Sequence, residues 1–401
     1  MAEGVDVLIV GGGPVGGCLA ALLARGGSGL RVAVLEPKRP TLPAADVPMD
    51  LRVVAVSRAS ERILGTAGAW DAIAGRRVSP YERMRVWHER VAPRGEQALV
   101  FDAAEAGEPN LGYIVENRLL QAAVLDAAEE AGARIVTGGF NSLRIGDEGV
   151  EIETSVGSFG ARLVVGADGA QSAVRSAVRL TAQIAEYGQT AIVATVATEC
   201  SHERTAWQRF LSTGTLAFLP LADGTSSIVW SVDDEVAERL LALTPEAFSR
   251  ALDEASDLAL GKTRLMSERL SFPLRDLSAP RFVAQRCALI GDAAHVVHPL
   301  AGQGVNLGLL DAAALAELLI EGRREREDPG ALRILRRYER SRKSETEVMR
   351  TAINSFNRFL AHGSGPLSRV AQQGLGWVNR SQEAKRFFIR YALGVGRGRR
   401  V

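Results

Sequence analysis

Apolar residues near the start of the chain recur at two different periods. The run over residues 6–10 predicts a buried strand, and helical spacing of the apolar residues over 15–25 predicts a helix. A second apolar run over 31–35, closed by Glu36 and Pro37, predicts another strand. The order strand, helix, strand is typical of a unit with two parallel strands joined by a crossover helix.

The hydrophobic pattern becomes alternating in the middle of the chain, and helical spacing returns after it. Residues 190–232 alternate and are rich in Val, Thr, Phe and Trp, which predicts a sheet of different character from the first unit. The other predicted elements are a helix from about Ser57, a helix over 116–131, strands over 149–154 and 161–165, a helix over 245–260, a strand over 288–290 and a helix over 309–320.

Length and composition indicate a globular enzyme with two lobes. The chain has 401 residues, of which 46% are hydrophobic and 24% are charged. Its 48 basic and 47 acidic residues give a net charge of +1, so no overall field attracts nucleic acid.

The cysteines and the apolar runs indicate the compartment. Cys18, Cys200 and Cys287 lack metal-ligand spacing and lie beside apolar residues, which favours free buried thiols in a reducing environment. The run over 5–10 is too short for a signal peptide, and no apolar run is long enough to span a bilayer. We therefore expect a cytoplasmic protein, with peripheral contact at the inner face of the membrane as a further expectation.

A glycine-rich turn follows the first predicted strand. Gly11-x-Gly13-x-x-Gly16, with Pro14 inside it, has the strand and helix around it that a dinucleotide fingerprint requires. Glu36 ends the second strand, where its carboxylate can accept hydrogen bonds from ribose hydroxyls and repel a 2′-phosphate. The turn therefore favours FAD or NAD over NADP, and by itself does not separate the two.

Two later segments also place glycines between a strand and a helix. Residues 166–175 include Asp168 and, taken alone, are better explained by a simple β-turn with an N-cap. In residues 291–308, Asp292 follows a predicted strand, and the amides of 302–306 open a helix. We expect Asp292 to hold a ribityl chain and these amides to stabilise negative charge on a reduced flavin. Taken with the first turn, this segment favours flavin over nicotinamide alone.

The two histidines of this last segment do not have the spacing of metal ligands. His295 and His298 are three residues apart in a proline-containing loop and have no neighbouring cluster of acids or cysteines. We expect His295 to be a hydrogen-bonding residue rather than a general base, and we expect no resident metal.

The three segments, in this order, resemble the class A FAD-dependent aromatic monooxygenases, which have the para-hydroxybenzoate hydroxylase fold. The resemblance extends to about residue 345. It implies an α/β fold: a Rossmann-like FAD-binding domain, an inserted β-sheet substrate domain and C-terminal helices. The implied boundaries are 1–80, 116–185 and 274–345 for the FAD-binding parts, 81–115 and 186–273 for the substrate domain, and 346–401 for a C-terminal helical region with a potential membrane contact.

The resemblance also assigns roles to residues. It adds Arg52 and Arg118 as arginines near the cofactor and implies hydroxylation through a C4a-hydroperoxyflavin, with NADPH, NADH or a separate electron-donor protein as reductant. The expected cofactor-binding residues are Gly11, Gly13, Pro14, Gly16, Glu36, Arg52, Arg118, Asp168, Asp292, Gly302, Gly304, Val305 and Asn306. The expected catalytic contribution is backbone and shape at Pro299, Gly302, Gln303 and Gly304, without a side-chain acid or base.

Two stretches narrow the resemblance to the ubiquinone-biosynthesis hydroxylases. They are the residues around Trp207–Trp230 and the sequence of residues 298–308. The resemblance implies a prenylated aromatic substrate, O2, and other quinone-biosynthesis proteins as partners. Trp207, Phe210, Phe218 and Trp230 would give an aromatic wall for that substrate, although each one is also an ordinary core residue.

The basic C-terminal region leaves two alternatives open. Basic residues at 385–400 surround Phe387, Phe388 and Tyr391, which fits either an anionic membrane surface or a packed helix with a solvated tail.

The alternatives to hydroxylation of a quinone precursor are hydroxylation of a soluble phenol or secondary metabolite, and a non-catalytic FAD-binding scaffold. The five tryptophans lack the spacing of a flavin halogenase.

Overall fold

The computed structural model describes residues 3–44, 47–298 and 302–356. The strands are β1 Glu3–Val10, β2 Val32–Glu36, β3 Val53–Ser57, β4 Ser79–Tyr81, β5 Arg83–His88, β6 Leu99–Asp102, β7 Gly112–Glu116, β8 Arg134–Thr137, β9 Phe140–Ile145, β10 Val150–Thr154, β11 Gly157–Gly166, β12 Gln183–Thr198, β13 Thr205–Leu211, β14 Gly214–Pro220, β15 Ser226–Asp233, β16 Thr263–Leu265, β17 Leu270–Ser278, β18 Val283–Ala284, β19 Cys287–Leu289 and β20 His295–Val296. The helices are α1 Pro14–Arg25, α2 Arg58–Thr66, α3 Trp70–Ala74, α4 Asn117–Glu130, α5 Ala173–Ala177, α6 Asp234–Leu241, α7 Pro245–Ser256, α8 Gly304–Arg324 and α9 Leu332–Phe356.

The first sheet carries the three glycine-containing segments. Its strand order is β18-β19-β11-β1-β2-β8, with β9 and β10 added as an antiparallel extension of β11. β1 is parallel to both β11 and β2, and β11 is parallel to β19. The carboxyl ends of parallel strands meet at one edge, so the segments after β1, β11 and β19 are brought together there.

Helices cover this sheet because its strands are apolar on both faces. α1 packs against α4 and α8, and its buried residues include Cys18, Leu19 and Leu23. Tyr338 of α9 is also fully buried, and its hydroxyl donates to the Leu289 carbonyl at 2.9 Å. Helix α9 is thereby fixed to the strand that leads into the Asp292 segment.

The second sheet forms the other lobe. Its strand order is β20-β17-β12-β15-β14-β13-β5-β6, with β16 paired to β12. One face packs against α6 and α7 through Trp230, Phe248 and other buried apolar residues. The opposite face forms a wall of the cavity described below. A smaller antiparallel sheet has the strand order β3-β7-β4.

The predicted fold class is confirmed, and local differences remain. The stretch between Glu36 and Ser57, for which no element was predicted, contains β3, because Val53–Ser57 pairs with the distant strand β7. Residues 81–115 contribute β5 and β6 to the second sheet but β7 to the small one. Cys18 and Cys287 are buried as expected, whereas Cys200 is exposed and corrects that part of the prediction. The region 357–401, including the basic residues at 385–400, lies outside the described residues.

Candidate functional site

A cavity of about 670 Å³ lies between the two large sheets. Its walls on the first lobe are the start of α1, residues 51–55, Asp292, Gly302, Gly304 and Val305. Its wall on the second lobe is the face of β13, β14 and β15 that is not covered by helices. Segments from both ends of the chain therefore meet around one space, with a volume in the usual range of small-molecule sites.

The first glycine turn packs directly on the second glycine segment. Gly11 has φ +102°, and a Cβ there would lie 2.3 Å from the Ala167 carbonyl oxygen. A Cβ on Gly16 would lie 2.0 Å from the Gly11 carbonyl oxygen. A side chain at either position would force the turn apart, which explains why glycine occupies both.

The middle glycine and Glu36 leave room for a ligand. Gly13 caps α1 and lines the cavity, and no atom lies within 4 Å of the position its Cβ would take. Glu36 Oε2 accepts the Gly12 N–H at 2.7 Å, and Oε1 accepts the Lys38 N–H at 3.1 Å. A carboxylate has further acceptor sites, so Glu36 can also accept from sugar hydroxyls.

The Asp168 side chain organises its own turn. Asp168 Oδ1 accepts the Ser172 hydroxyl at 2.6 Å, and Oδ2 accepts the Val174 N–H at 3.0 Å. Its neighbours Ala167 and Gly169 line the cavity, whereas Asp168 itself does not. Asp168 therefore shapes the site through the backbone around it.

Asp292 and the start of α8 form another part of the first-lobe wall. Asp292 lines the cavity, and desolvation by the surrounding protein raises the pKa of its carboxyl, an effect that nearby His295 opposes. Gly302, Gly304 and Val305 also line the cavity. The first N–H groups of a helix have no intrahelical acceptor, so the start of α8 offers donors and a partial positive charge to a ligand.

Asn306 joins the start of α8 to β3 and α2. Its Oδ1 accepts the Ser57 N–H at 2.9 Å and the Ser60 hydroxyl at 2.7 Å. Its Nδ2 donates to the carbonyls of Ala55 and Gly302 at 2.9 and 3.2 Å. These bonds use the capacity of the side chain, so any contact of Asn306 with a cofactor is through its backbone.

A buried charged network lies behind Asp292. Asp311 is fully buried and accepts bonds from His295 Nε2 at 2.6 Å, Arg342 Nε at 2.8 Å and the Gly291 N–H at 3.1 Å. Burial alone raises the pKa of Asp311, but the charges and hydrogen bonds of His295 and Arg342 outweigh it and hold that pKa below its usual value. His295 is therefore a hydrogen-bonding residue in this structure, consistent with the sequence-based interpretation.

The two predicted arginines occupy different places. Arg52 is exposed and lines the cavity. Arg118 lies in the first turn of α4, outside the cavity wall, and donates to the Thr41 hydroxyl at 3.4 Å. Its neighbour Asn117 lines the cavity instead, because side chains of adjacent helical residues point in different directions.

Residues 298–303 are only partly described. His298 is buried, and its ring packs edge-on against Tyr187 with centroids 4.9 Å apart. Gln303 precedes α8 as its N-cap. Pro299 lies outside the described residues.

The predicted aromatic wall needs correction. Phe218 and Trp230 lie in the cluster that packs against α6 and α7, on the sheet face opposite the cavity. Trp207 borders the cavity, but it pairs with Phe218 in register and its ring packs against Trp87 at 6.0 Å. Phe210 packs with Val297 and Leu307 outside the cavity wall. Strand residues alternate between faces, and the sequence pattern did not show which face the helices cover.

Smaller side chains form the cavity face of the second sheet. They are Val193, Ala206, Gln208, Thr215, Ala217, Leu219, Ser227, Val229 and Ser231, and Met84, Phe272 and Val296 of the same sheet also line the cavity. Tyr81 and Asn117 also line the cavity and were not predicted. The alternation of large and small residues over 214–220 and 226–233 is a signal that could have separated the two faces.

The residues present fit FAD. The open position beside Gly13 suits a pyrophosphate, and Glu36 suits a ribose. Asp292 and the amides at the start of α8 suit the ribityl chain and the electron-rich edge of the flavin. The rest of the cavity, between these groups and the second sheet, is left for a substrate.

This chain is similar to known FAD-binding proteins over nearly its whole length. Residues 4–351 match the family described as FAD binding domain. The chain is 38% identical to the ubiquinone hydroxylase UbiL of Rhodospirillum rubrum, covering 97% of this chain and 90% of that protein. It is 36% identical to the 3-demethoxyubiquinol 3-hydroxylase of Escherichia coli, and the match covers 97% of this chain and 98% of that protein. It is similar in fold to a crystal structure of Klebsiella pneumoniae HpxO complexed with FAD, with a TM-score of 0.76 and 18% identity. The match covers 98% of this chain and 99% of that chain.

Proposed function

This chain belongs to the FAD binding domain family and is an FAD-dependent aromatic monooxygenase, and on that premise we propose that it hydroxylates the ring of a prenylated precursor of ubiquinone. The observation that carries the proposal is the identity of 36–38% with two hydroxylases named for ubiquinone compounds, over nearly the whole chain. The cavity between the flavin-side residues and the second sheet supports it, because an aromatic ring must lie beside the flavin.

Bound FAD supplies the oxygen-activating redox chemistry. The residues of this chain would bind the cofactor, orient the substrate and exclude water from both. Gly13, Glu36 and Asp292 would hold the cofactor, and the amides at the start of α8 would stabilise negative charge at the flavin edge. The apolar part of the wall, including Val193, Val229 and Leu219, would keep water from the reacting ring.

The reductant is proposed to be NADPH or NADH, which is typical of the family, with a separate electron-donor protein as the alternative. The two are distinguished by anaerobic mixing of the purified holoenzyme with each nucleotide. Loss of the oxidised flavin absorbance would support the nucleotides. An unchanged spectrum with both would favour a protein donor.

Membrane contact is proposed as peripheral and assigned to residues 383–401. Within the described residues, no helix combines the length and apolar composition of a bilayer span. A prenylated substrate lives in the bilayer, so contact with an anionic surface would shorten its path. Co-sedimentation with anionic liposomes, with and without residues 383–401, tests this; equal pelleting of both proteins contradicts it.

The function is tested in cells that lack this protein. We expect less ubiquinone and accumulation of a prenylated phenol, measured by mass spectrometry of quinone intermediates. Unchanged quinone with no accumulated intermediate would contradict the pathway and favour a soluble phenol as substrate. A holoenzyme that restores quinone in cells but never forms product in vitro would favour the scaffold function.

A further inference from the structure

Three adjacent strands present uncharged polar side chains on the cavity face of the second sheet. Gln208 on β13, Thr215 on β14 and Ser231 on β15 line the cavity, and Ser227 lines it four residues before Ser231 on the same strand. The remainder of this wall consists mainly of Val, Ala and Leu side chains. Polar side chains on an otherwise apolar floor are the feature that fixes ligand orientation in small-molecule sites.

These polar side chains are buried but not satisfied by the protein. Gln208, Thr215 and Ser231 are 7%, 6% and 2% exposed. Within the described residues, no hydrogen bond of their side chains is found. Buried polar groups normally have partners, so the cavity is where their partners must come from.

The strand register brings the three side chains close together. Thr215 and Ser231 are directly paired across β14 and β15. Gln208 is opposite Ala217, which places it diagonal to Thr215 on the same face. Diagonal neighbours in an antiparallel pair lie about 7–8 Å apart at Cα, within reach of a glutamine side chain. The three therefore form one patch, which we call the polar patch.

Charge is absent from this part of the wall. Of the described residues around the cavity, the second sheet supplies no Asp, Glu, Lys, Arg or His, and Arg52 and Asp292 belong to the first lobe. Burial raises the pKa of Tyr81, the phenol at the edge of the wall, to about 12, so it is neutral at physiological pH. A carboxylate placed on the polar patch would be buried without a counter-ion, which is costly.

We propose that the polar patch positions the substrate by hydrogen-bonding the oxygen substituents of an uncharged aromatic ring, with Gln208 as the principal residue. This inference rests on the proposed function and deepens it. The carboxamide can donate and accept at once, so it matches a hydroxyl or methoxy oxygen. An anionic ring is disfavoured, and the ring carbon that faces the flavin is set by which oxygen Gln208 holds.

The experiment uses the FAD-loaded full chain and two probes, 2-prenylphenol and its carboxylated counterpart 3-prenyl-4-hydroxybenzoate. Binding is followed by the change in flavin absorbance, and product by chromatography. The wild-type protein should bind 2-prenylphenol at least tenfold more tightly than the acid. Gln208→Met should weaken binding of 2-prenylphenol about tenfold and change the ratio of hydroxylated isomers. Gln208→Arg should reverse the preference between the probes.

The same strand offers a matched control. Ser226 is also fully buried with an unpartnered hydroxyl, but it does not line the cavity. Ser226→Ala should leave binding within twofold, whereas Ser231→Ala and Thr215→Val should weaken it. Full flavin content in each variant shows that the fold is retained.

Two results overturn the inference, and they are distinguishable. If the wild type hydroxylates 2-prenylphenol and Gln208→Met, Thr215→Val and Ser231→Ala all bind and orient it unchanged, the polar patch has no positioning role. If the wild type neither binds nor hydroxylates either probe, the proposed function fails and the inference fails with it.

Discussion

His295 Nε2 lies 2.6 Å from Asp311 Oδ2, and both side chains are buried. Asp311 also accepts from Arg342, so three segments of the chain converge on one carboxylate. Removing one member of a buried charged set leaves the others without compensation. The segment that presents Asp292 to the cavity therefore depends on a charge that does not line the cavity.

The first prediction concerns Asp311→Asn. The variant leaves Arg342 buried with reduced compensation, so we expect its free energy of unfolding to fall by about 3–5 kcal/mol. The measurement is urea unfolding of the apoprotein. Glu345→Gln is the control, because Glu345 also pairs with Arg342 but its side chain is 66% exposed, and it should cost no more than about 1 kcal/mol. Equal losses in the two variants would contradict this explanation.

The second prediction is the pH dependence of that difference. The pKa of Asp311 is lower in the folded protein than its usual value of 3.8, so its contribution to stability is complete above the unfolded pKa and is lost as pH falls through the folded pKa. The stability difference between wild type and Asp311→Asn should shrink as the pH falls below about 4, where Asp311 takes up a proton. A difference that stays the same below about pH 4 would show that the charge of Asp311 is not its source.

The third prediction separates two glycines of one turn. A Cβ at Gly13 meets no atom within 4 Å, whereas a Cβ at Gly16 collides with the Gly11 carbonyl. Gly13→Ala should therefore retain apoprotein stability but raise the FAD dissociation constant at least tenfold. Gly16→Ala should also destabilise the apoprotein. FAD titration by fluorescence and thermal unfolding report the two quantities, and full FAD affinity in Gly13→Ala would exclude Gly13 from the pyrophosphate site.

The fourth prediction concerns Asn306→Leu. This change leaves the Ser57 N–H and the Ala55 carbonyl without their buried partner, at a cost of about 1–3 kcal/mol for each unpaired group. Because Ala55 and Gly302 both line the cavity, FAD affinity should fall together with stability. Ser60→Ala removes only one bond to Asn306 and should have a smaller effect on both measurements. An intact FAD affinity in Asn306→Leu would show that this link does not shape the site.

The fifth prediction is the reactivity of the thiols. Cys200 is exposed, whereas Cys18 and Cys287 are fully buried and burial raises the pKa of each to about 12. At pH 8, a thiol reagent such as dithiobis(nitrobenzoate) should modify one cysteine rapidly in the folded protein and all 3 after unfolding. The variant Cys200→Ser should show no rapid reaction.

The local patterns of the sequence predicted much of the site, and the remainder depends on long-range packing. Gly11–Gly16 and Glu36 belong to one short strand–helix–strand unit, so their spacing alone indicated a nucleotide. The role of Asp311 was not predicted, because its partners His295 and Arg342 come from other elements. The alternation around Phe218 and Trp230 showed which residues share a face, but only the position of α6 and α7 decides which face meets the cavity.

The strand order of the first sheet has a consequence for the way the protein is made. β1 lies between β2 and β11, and β11 in turn pairs with β19, so β1 is completed by partners that are synthesised much later than β1 itself. Translation delivers β1 before these partners, and pairings between distant segments form slowly. The nascent chain thus carries its glycine turn without Asp292 or residues 302–305 until these have left the ribosome. Insertion of FAD is therefore a late event in biogenesis, and the exposed edge of β1 needs protection until then.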